Sequence, residues 1–419
     1  MTDVSHVDRP PADLPLAARR AVPTPGDLAR WAAADAADRP ARLARLRESM
    51  ARDAVDVYFG VSRENTRYLT GFVLGDGEEK VAGDSGRFLV SAGDLVVLAD
   101  SRYREQAEEE CPGTRIEESY YDLPQRWAGL IGSLRSRGGG RVRRIAVEAG
   151  LVSHALWQAL EGAAPDVELV PAAPWVDELR AVKQPGEIER IASACSVADA
   201  ALARLLPSIR PGVTEHDLAL QLEWEMRTHG AEALAFDVTC LSGPRAALPH
   251  GSPGERRVTA GEVLLFDFGA QVAGYRSDMT RTLFVGEPTP DDLELYRLVA
   301  ASQEAAFRLL ATAAAGHEAP TGVSVDAAAR DVIAAAGHGE QFGHGLGHGI
   351  GLATHESPSL SRRAAPAALP WPTVFSVEPG VYLPGRTGIR IEDLVSFDPE
   401  SGAVERLTGF PREVTVVGA

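Results

Sequence analysis

Apolar and polar positions alternate along this chain in two different ways. From about residue 40 to residue 165, short runs rich in β-branched residues are separated by stretches with helical spacing. ARLARLRESMARD (41–53) predicts a helix. AVDVYFG (54–60), DLVVLAD (94–100) and RRIAVEA (143–149) predict buried strands, with a further helix over about 151–161. Strands alternating with helices predict an α/β domain around a largely parallel or mixed sheet. Residues 1 to about 38, rich in Ala, Pro and Asp, read as a flexible N-terminal arm.

Pro171, Pro174 and Pro185 then interrupt the pattern and mark a boundary between a first domain, 39–175, and a second, 176–419. Beyond it Ile188, Ile191, Cys195, Ala198, Leu202 and Leu205 recur at intervals of three and four, the stripe of an amphipathic helix. Pro211-Gly212 ends that helix. Thr214 offers an N-cap three residues before Asp217, and Leu218, Leu222 and Met226 form the next stripe. From about residue 234 the chain becomes strand-rich, in ALAFDVTCLSG, GEVLLFDFGAQ, TRTLFVG, TVFSVEPGVYL and GIRIEDLVSF. Two more helices fit at about 291–314 and 323–336, so the second half is α+β.

Bulk properties narrow the functional classes. The 419 residues exceed one core of ordinary size, in keeping with two domains. A formal charge of −17 disfavours nucleic acid and anionic membranes as partners. Cys111, Cys195 and Cys240 are odd in number and far apart, so neither a disulfide framework nor a structural zinc site is expected. The first twenty residues lack the apolar core of a signal peptide, and no apolar run reaches bilayer-spanning length, so the expected location is the cytoplasm.

The candidate chemistry lies in the second half. Asp267 interrupts the apolar run VLLFDFG, where an uncompensated charge is costly to bury. Asp278 follows eleven residues later, and two antiparallel strands would bring both carboxylates to one face. FGHGLGHGIGLATHESP (342–358) carries His344, His348 and His355 among glycines, and matches neither GxGxxG nor HExxH. No GxSxG elbow occurs in the chain. Glu378 interrupts an apolar strand before Pro379-Gly380, and Arg390 and Glu392 share one face of GIRIED. Any one of these has an ordinary structural explanation. Four carboxylates in one pocket do not, because they repel and their pKa values rise unless cations sit among them. Two divalent ions resolve the conflict. Oxygen ligands with one imidazole favour Mn2+, with Co2+, Fe2+ or Zn2+ as alternatives.

Together the motifs DFGAQVAGYRSDMTRT, HGLGHGIGLATHE, SVEPGVY and GIRIED resemble those of the creatinase, prolidase and aminopeptidase P metallopeptidases. The resemblance covers residues 176–419 and implies a "pita-bread" catalytic domain, preceded over 39–175 by a creatinase-like α/β domain. It implies five metal ligands: Asp267 on one metal, Asp278 and Glu392 bridging, His348 and Glu378 on the other. His250, in LPHGSP, matches the family's substrate-side histidine. His344 and His355 match its other non-ligand histidines, and Arg390 the arginine of its GIRIED-like strand. The family also suggests a homodimer and a proline-containing peptide as substrate.

In the mechanism this implies, Glu378 shuttles the proton, His355 and His250 stabilise the tetrahedral intermediate, and His344 positions the substrate. The reading favours removal of the N-terminal residue from Xaa-Pro peptides over a strict Xaa-Pro dipeptidase. Some dipeptidases of the family carry an arginine shortly after the His-Glu pair, and the matching position here is Ser359. A hydrolase of a non-peptide C–N bond and a metal-binding module without turnover are the readings from other classes. Keeping His250, His344, His355 and Arg390 disfavours the latter.

Overall fold

A computed structural model of the chain describes residues 22–75, 82–134 and 139–418. They form two compact units, one of residues 30–180 and one of residues 181–418 together with 22–29. Among the described residues no helix is long and apolar enough to cross a membrane. All three cysteines are buried and free.

The first unit is built on a six-stranded mixed sheet in the order Arg115–Glu117, Leu95–Leu98, Phe88–Ser91, Val57–Gly60, Arg144–Val147, Glu168–Pro171. Its two antiparallel pairings join Leu95–Leu98, Phe88–Ser91 and Val57–Gly60; the remaining three are parallel. Phe59, Trp127, Ile145 and Leu160 are buried in its core. The strands at 88–91, 115–117 and 168–171 had no sequence signal strong enough to assign.

The expected arm needs correction. Residues 25–38 are helical, as the first half of a helix running Pro25–Arg52. Its start has a capping box, in which Asp27 N donates to Thr24 Oγ1 (3.2 Å) and Thr24 N donates to Asp27 Oδ2 (3.0 Å). Pro25 occupies the first turn, where a missing N–H costs nothing. The alanine-rich run has high helix propensity, but Pro40 lies inside it and reads as a stop. Residues 1–21 of the expected arm lie outside the described residues.

The boundary between the units falls at 180/181, not at 175/176. Arg180, 5% exposed, donates to Asn65 Oδ1 at 2.9 Å and so belongs to the first unit. From Lys183, whose N–H donates to Pro372 O, the chain belongs to the second.

The second unit carries two helix pairs, Pro185–Leu205 with Glu215–Thr228 and Pro290–Ala315 with Gly322–Ala335. Thr214 caps the second of these helices by accepting from Asp217 N at 3.0 Å. A four-stranded sheet runs Val416–Val417, Met279–Val285, Val263–Phe268, Thr239–Ser242. A five-stranded sheet runs Glu356–Leu360, Gly347–Gly349, Thr373–Val377, Asp393–Asp398, Ala403–Arg406. A two-stranded ribbon joins Gly380–Leu383 to Thr387–Arg390. Leu265, Phe284, Phe375, Val377 and Ile389 share one core.

Candidate metal centre

All nine residues singled out by sequence line one cavity of about 770 Å³ in the second unit. Asp267 is on the strand Val263–Phe268, with Thr280 opposite it on Met279–Val285. Asp278 immediately precedes that second strand and does not lie within it. Between the two aspartates the chain detours through a small hairpin of Ala270–Val272 and Tyr275–Arg276. His348 lies on Gly347–Gly349. Glu378 follows the end of Thr373–Val377, and Glu392 sits between Thr387–Arg390 and Asp393–Asp398. The glycines beside His348 are required by close approach. A Cβ at Gly347 would fall onto the carbonyl oxygen of Ser376, and one at Gly349 onto that of Ser357.

Ligand atoms of Asp278, His348 and Glu392 lie within 4.8 Å of one another. His348 Nε2 is 3.3 Å from Glu378 Oε1 and 3.7 Å from Asp278 Oδ2. His348 Nδ1 faces its neighbour Gly349 O at 3.1 Å, which assigns the proton to Nδ1 and leaves the Nε2 lone pair for the cage. Asp267 is turned through Oδ2 onto Arg390 Nη2 at 2.6 Å. Three buried oxygens, Asp267 Oδ1, Asp278 Oδ1 and Glu392 Oε1, have no hydrogen-bond partner among the described residues. Orphaned carboxylate oxygens at that density suit cations and little else, so the residues fit a pair of divalent ions.

The electrostatics agree. Burial, then the charges of Glu392 and Asp267, push Asp278 well above the usual carboxylate range. Burial, then Glu378 and Asp267, do the same to Glu392. Burial also pushes Glu378 up, but its hydrogen bond to His348 and the charge there outweigh this and hold it at about 2. For His348, burial is outweighed by Glu378, and the imidazole is raised to about 9, so a second proton sits on Nε2 facing Glu378 and a metal ion would bind there by displacing it.

Around the cage stand residues that sequence reasoning missed. Thr280 Oγ1 donates to Glu392 Oε2 (2.8 Å) and accepts from Arg390 Nε (2.9 Å). Ser376 Oγ accepts from His348 N (3.1 Å) and donates to Glu378 Oε1 (3.2 Å). Tyr382 Oη accepts from Arg390 Nη1 at 2.7 Å, so its own proton goes to His344 Nε2 at 2.9 Å. Their one sequence signal is a polar residue within an otherwise apolar strand, which is common in strands of every kind.

This network also engages two residues that the sequence reading placed at the substrate. His344 was expected at the substrate, but both its nitrogens are engaged, Nε2 by Tyr382 and Nδ1 by Gly345 O at 2.7 Å. Burial lowers its pKa, which keeps it neutral. Arg390 was also expected at the substrate. Its three nitrogens are held by Thr280, Tyr382 and Asp267, because a guanidinium 3% exposed needs buried acceptors. His250 and His355, by contrast, are exposed to the cavity, and their ring nitrogens have no partner among the described residues. The His355 ring lies 4.1 Å from that of His348, and burial, then the charge of His348, lowers its pKa.

Two further buried arginines hold the segments that carry the site. Arg330 forms a bidentate pair with Asp326 (2.8 and 2.7 Å) and donates to the carbonyls of Phe342 and His344, each at 2.7 Å. Arg281, 1% exposed, pairs with Asp393 at 2.7 Å and donates to the backbone carbonyls of Glu392, Phe410 and Pro411.

Comparison with known proteins adds the following. The model of metallopeptidase family M24 matches residues 189–398, and that of the creatinase/prolidase N-terminal domain matches residues 42–182. An Xaa-Pro dipeptidase of Pyrococcus furiosus is 38% identical over 239 residues, covering 57% of this chain and 66% of that one. Among solved structures, an Xaa-Pro dipeptidase from Bacillus anthracis is 33% identical with a TM-score of 0.79, over 90% of this chain and 100% of that one. An X-Pro aminopeptidase from Thermotoga maritima MSB8 is 34% identical with a TM-score of 0.77, over 90% of this chain and 99% of that one. The fold class expected from sequence, an α/β N-terminal domain before an α+β pita-bread domain, is the one these comparisons support.

Proposed function

We propose that this chain, which belongs to metallopeptidase family M24, hydrolyses the Xaa-Pro bond of dipeptides with two divalent metal ions held by Asp267, Asp278, His348, Glu378 and Glu392. The observation that carries the reading is the set of orphaned carboxylate oxygens beside two imidazoles with no partner among the described residues. The oxygen-rich donor set favours Mn2+. Divalent ions there would polarise the scissile carbonyl and activate water near neutral pH.

The chain's own residues supply the rest. Glu378, whose Oε1 accepts from Ser376 Oγ at 3.2 Å, would take the water proton and deliver it to the leaving prolyl nitrogen. His355 and His250 would donate to the oxyanion. Arg390 and Thr280 hold Asp267 and Glu392 in place. A tertiary Xaa-Pro amide has no N–H to offer, so recognition falls on the ring and the two termini.

The sequence inclined towards an aminopeptidase, and the relatives favour the dipeptidase: those of P. furiosus and B. anthracis both bear that name. Specific observations keep the aminopeptidase as a second reading. Arg390 is committed to Asp267, Ser359 stands where some dipeptidases have arginine, and the cavity volume is about 770 Å³. A matched dipeptide, its C-terminal amide and an Xaa-Pro-Yaa tripeptide decide the matter. The dipeptidase reading expects kcat/KM for the amide and the tripeptide to fall at least about tenfold below the dipeptide, the loss of one charged contact. Equal rates on all three would replace it with the aminopeptidase.

A further inference from the structure

His355 ends a short loop that starts just after the strand Gly347–Gly349, and its neighbour Glu356 opens the strand Glu356–Leu360, paired there to Gly349. His355 lines the cavity. Glu356 instead accepts through Oε1 from Lys183 Nζ at 2.8 Å. The two side chains are 1% and 6% exposed, so this is a buried ion pair and not a surface one. Lys183 is itself fixed. Its N–H donates to Pro372 O at 2.7 Å, and the next residue, Gln184, donates its N–H to Glu187 Oε2 at 2.7 Å, at the start of the helix Pro185–Leu205.

The loop is wrapped around the same carboxylate. Glu356 Oε2 accepts from Ala353 N at 3.3 Å, and a Cβ at Gly351 would collide with Oε1. Elsewhere the loop is tied by Arg276, whose N–H donates to Gly351 O (2.9 Å) and whose Nε donates to Leu352 O (3.1 Å), and by Thr354 Oγ1, which donates to Ala235 O (3.1 Å). These bonds hold the chain before His355, and the ion pair holds it after. The His355 ring has no partner among the described residues, so the backbone on either side sets its direction. A buried ion pair adds little net stability, because desolvation offsets its attraction. What this pair supplies is a fixed geometry one residue from a group that must meet a developing charge.

We propose that Lys183, acting through Glu356, is a positioning residue that holds the His355 imidazole where the oxyanion forms. This rests on the Xaa-Pro reading above. Lys183→Met/Glu356→Gln removes the ion pair without stranding a buried charge. On the metal-loaded full chain, kcat for an Xaa-Pro dipeptide should fall ~10²-fold, the effect of displacing a reacting group by about 1 Å, with metal content and KM little changed. The deciding readout is the same double substitution made in His355→Ala. If the pair acts through His355, kcat there changes by no more than about twofold, the scatter of independent sites. A pair that merely supports the fold multiplies the two losses. Multiplied losses, an unchanged kcat or a loss of metal each overturn the proposal. If the double variant does not fold, Lys183→Arg, which keeps the charge and alters its reach, takes its place in the same cycle and is read the same way. If the unaltered protein cleaves no Xaa-Pro peptide, that reading fails separately, and imidazole NMR of the Zn2+-loaded chain decides the positioning role. A His355 signal, identified by its absence in His355→Ala, that broadens or splits only in the variant supports it, and an identical signal overturns it.

Discussion

His344 and His355 lie eleven positions apart in one glycine-rich stretch, yet their surroundings assign them opposite work. The two nitrogens of His344 are held by Tyr382 and Gly345, while those of His355 face the cavity without a partner among the described residues. His355→Ala should keep metal content and thermal stability but lower kcat by ~10²–10³, the usual effect of losing one donor to a developing oxyanion. His344→Ala should instead lower stability by about 1–3 kcal/mol, because it leaves the Tyr382 hydroxyl buried without an acceptor. Unfolding curves and steady-state kinetics on both variants check the pair. Comparable losses of kcat with equal stability would show the two rings doing the same job. Asp278→Asn separates bridging from simple ligation: a bridging carboxylate takes both ions with it, from about two equivalents of metal per chain to well below one. A variant that retains both equivalents would falsify the bridging role.

At the scale of elements, what could be read from sequence followed periodicity and caps. The helices Pro185–Leu205, Glu215–Thr228, Pro290–Ala315 and Gly322–Ala335 lie within a few residues of where their apolar stripes placed them, since a stripe needs only local spacing. Carboxylates interrupting apolar strands were equally visible, because they violate the pattern. The supports of the site were not. Arg330 reaches from a helix to the carbonyls of Phe342 and His344, and Arg281 reaches across more than a hundred residues to that of Glu392. Contacts from a side chain to a distant backbone carbonyl leave no periodic trace. The strand Arg115–Glu117 was missed for a related reason: three half-buried residues make no run. Arg330→Met tests the importance of these supports. It strands the buried Asp326 charge and frees two carbonyls, so denaturant unfolding should show a loss of about 3–5 kcal/mol. A loss under about 1 kcal/mol would mean that the loop holds its shape without the arginine.

At the scale of the whole molecule, stability is tied to protons and metal ions. Asp199, fully buried, accepts from Gly409 N (2.7 Å) and Phe410 N (2.9 Å), yet burial raises its pKa to about 6. Between the ordinary carboxylate value and about 6, the folded state holds a proton that the unfolded chain has released. Stability from this group is therefore greatest at the acid end of that window and declines as pH rises through it. Relative to Asp199→Asn, which cannot titrate, the unaltered protein should lose up to about 3 kcal/mol between pH 4 and pH 7. Parallel stability curves for the two proteins over that range would sink the assignment.

The metal cage acts in the opposite sense, because ions that bind only the folded state add RT ln(1 + [L]/Kd) per site, about 2.7 kcal/mol at a hundredfold excess over Kd. Removing metal with a chelator should lower Tm by several degrees, and restoring Mn2+ should recover it in a concentration-dependent way. In Asp278→Asn the recovery should largely vanish, since the side chain loses its negative charge and one of its two ligand oxygens. A Tm indifferent to metal in the unaltered protein would mean that the buried carboxylates settle their repulsion by protonation, and the two-ion centre would have to be abandoned.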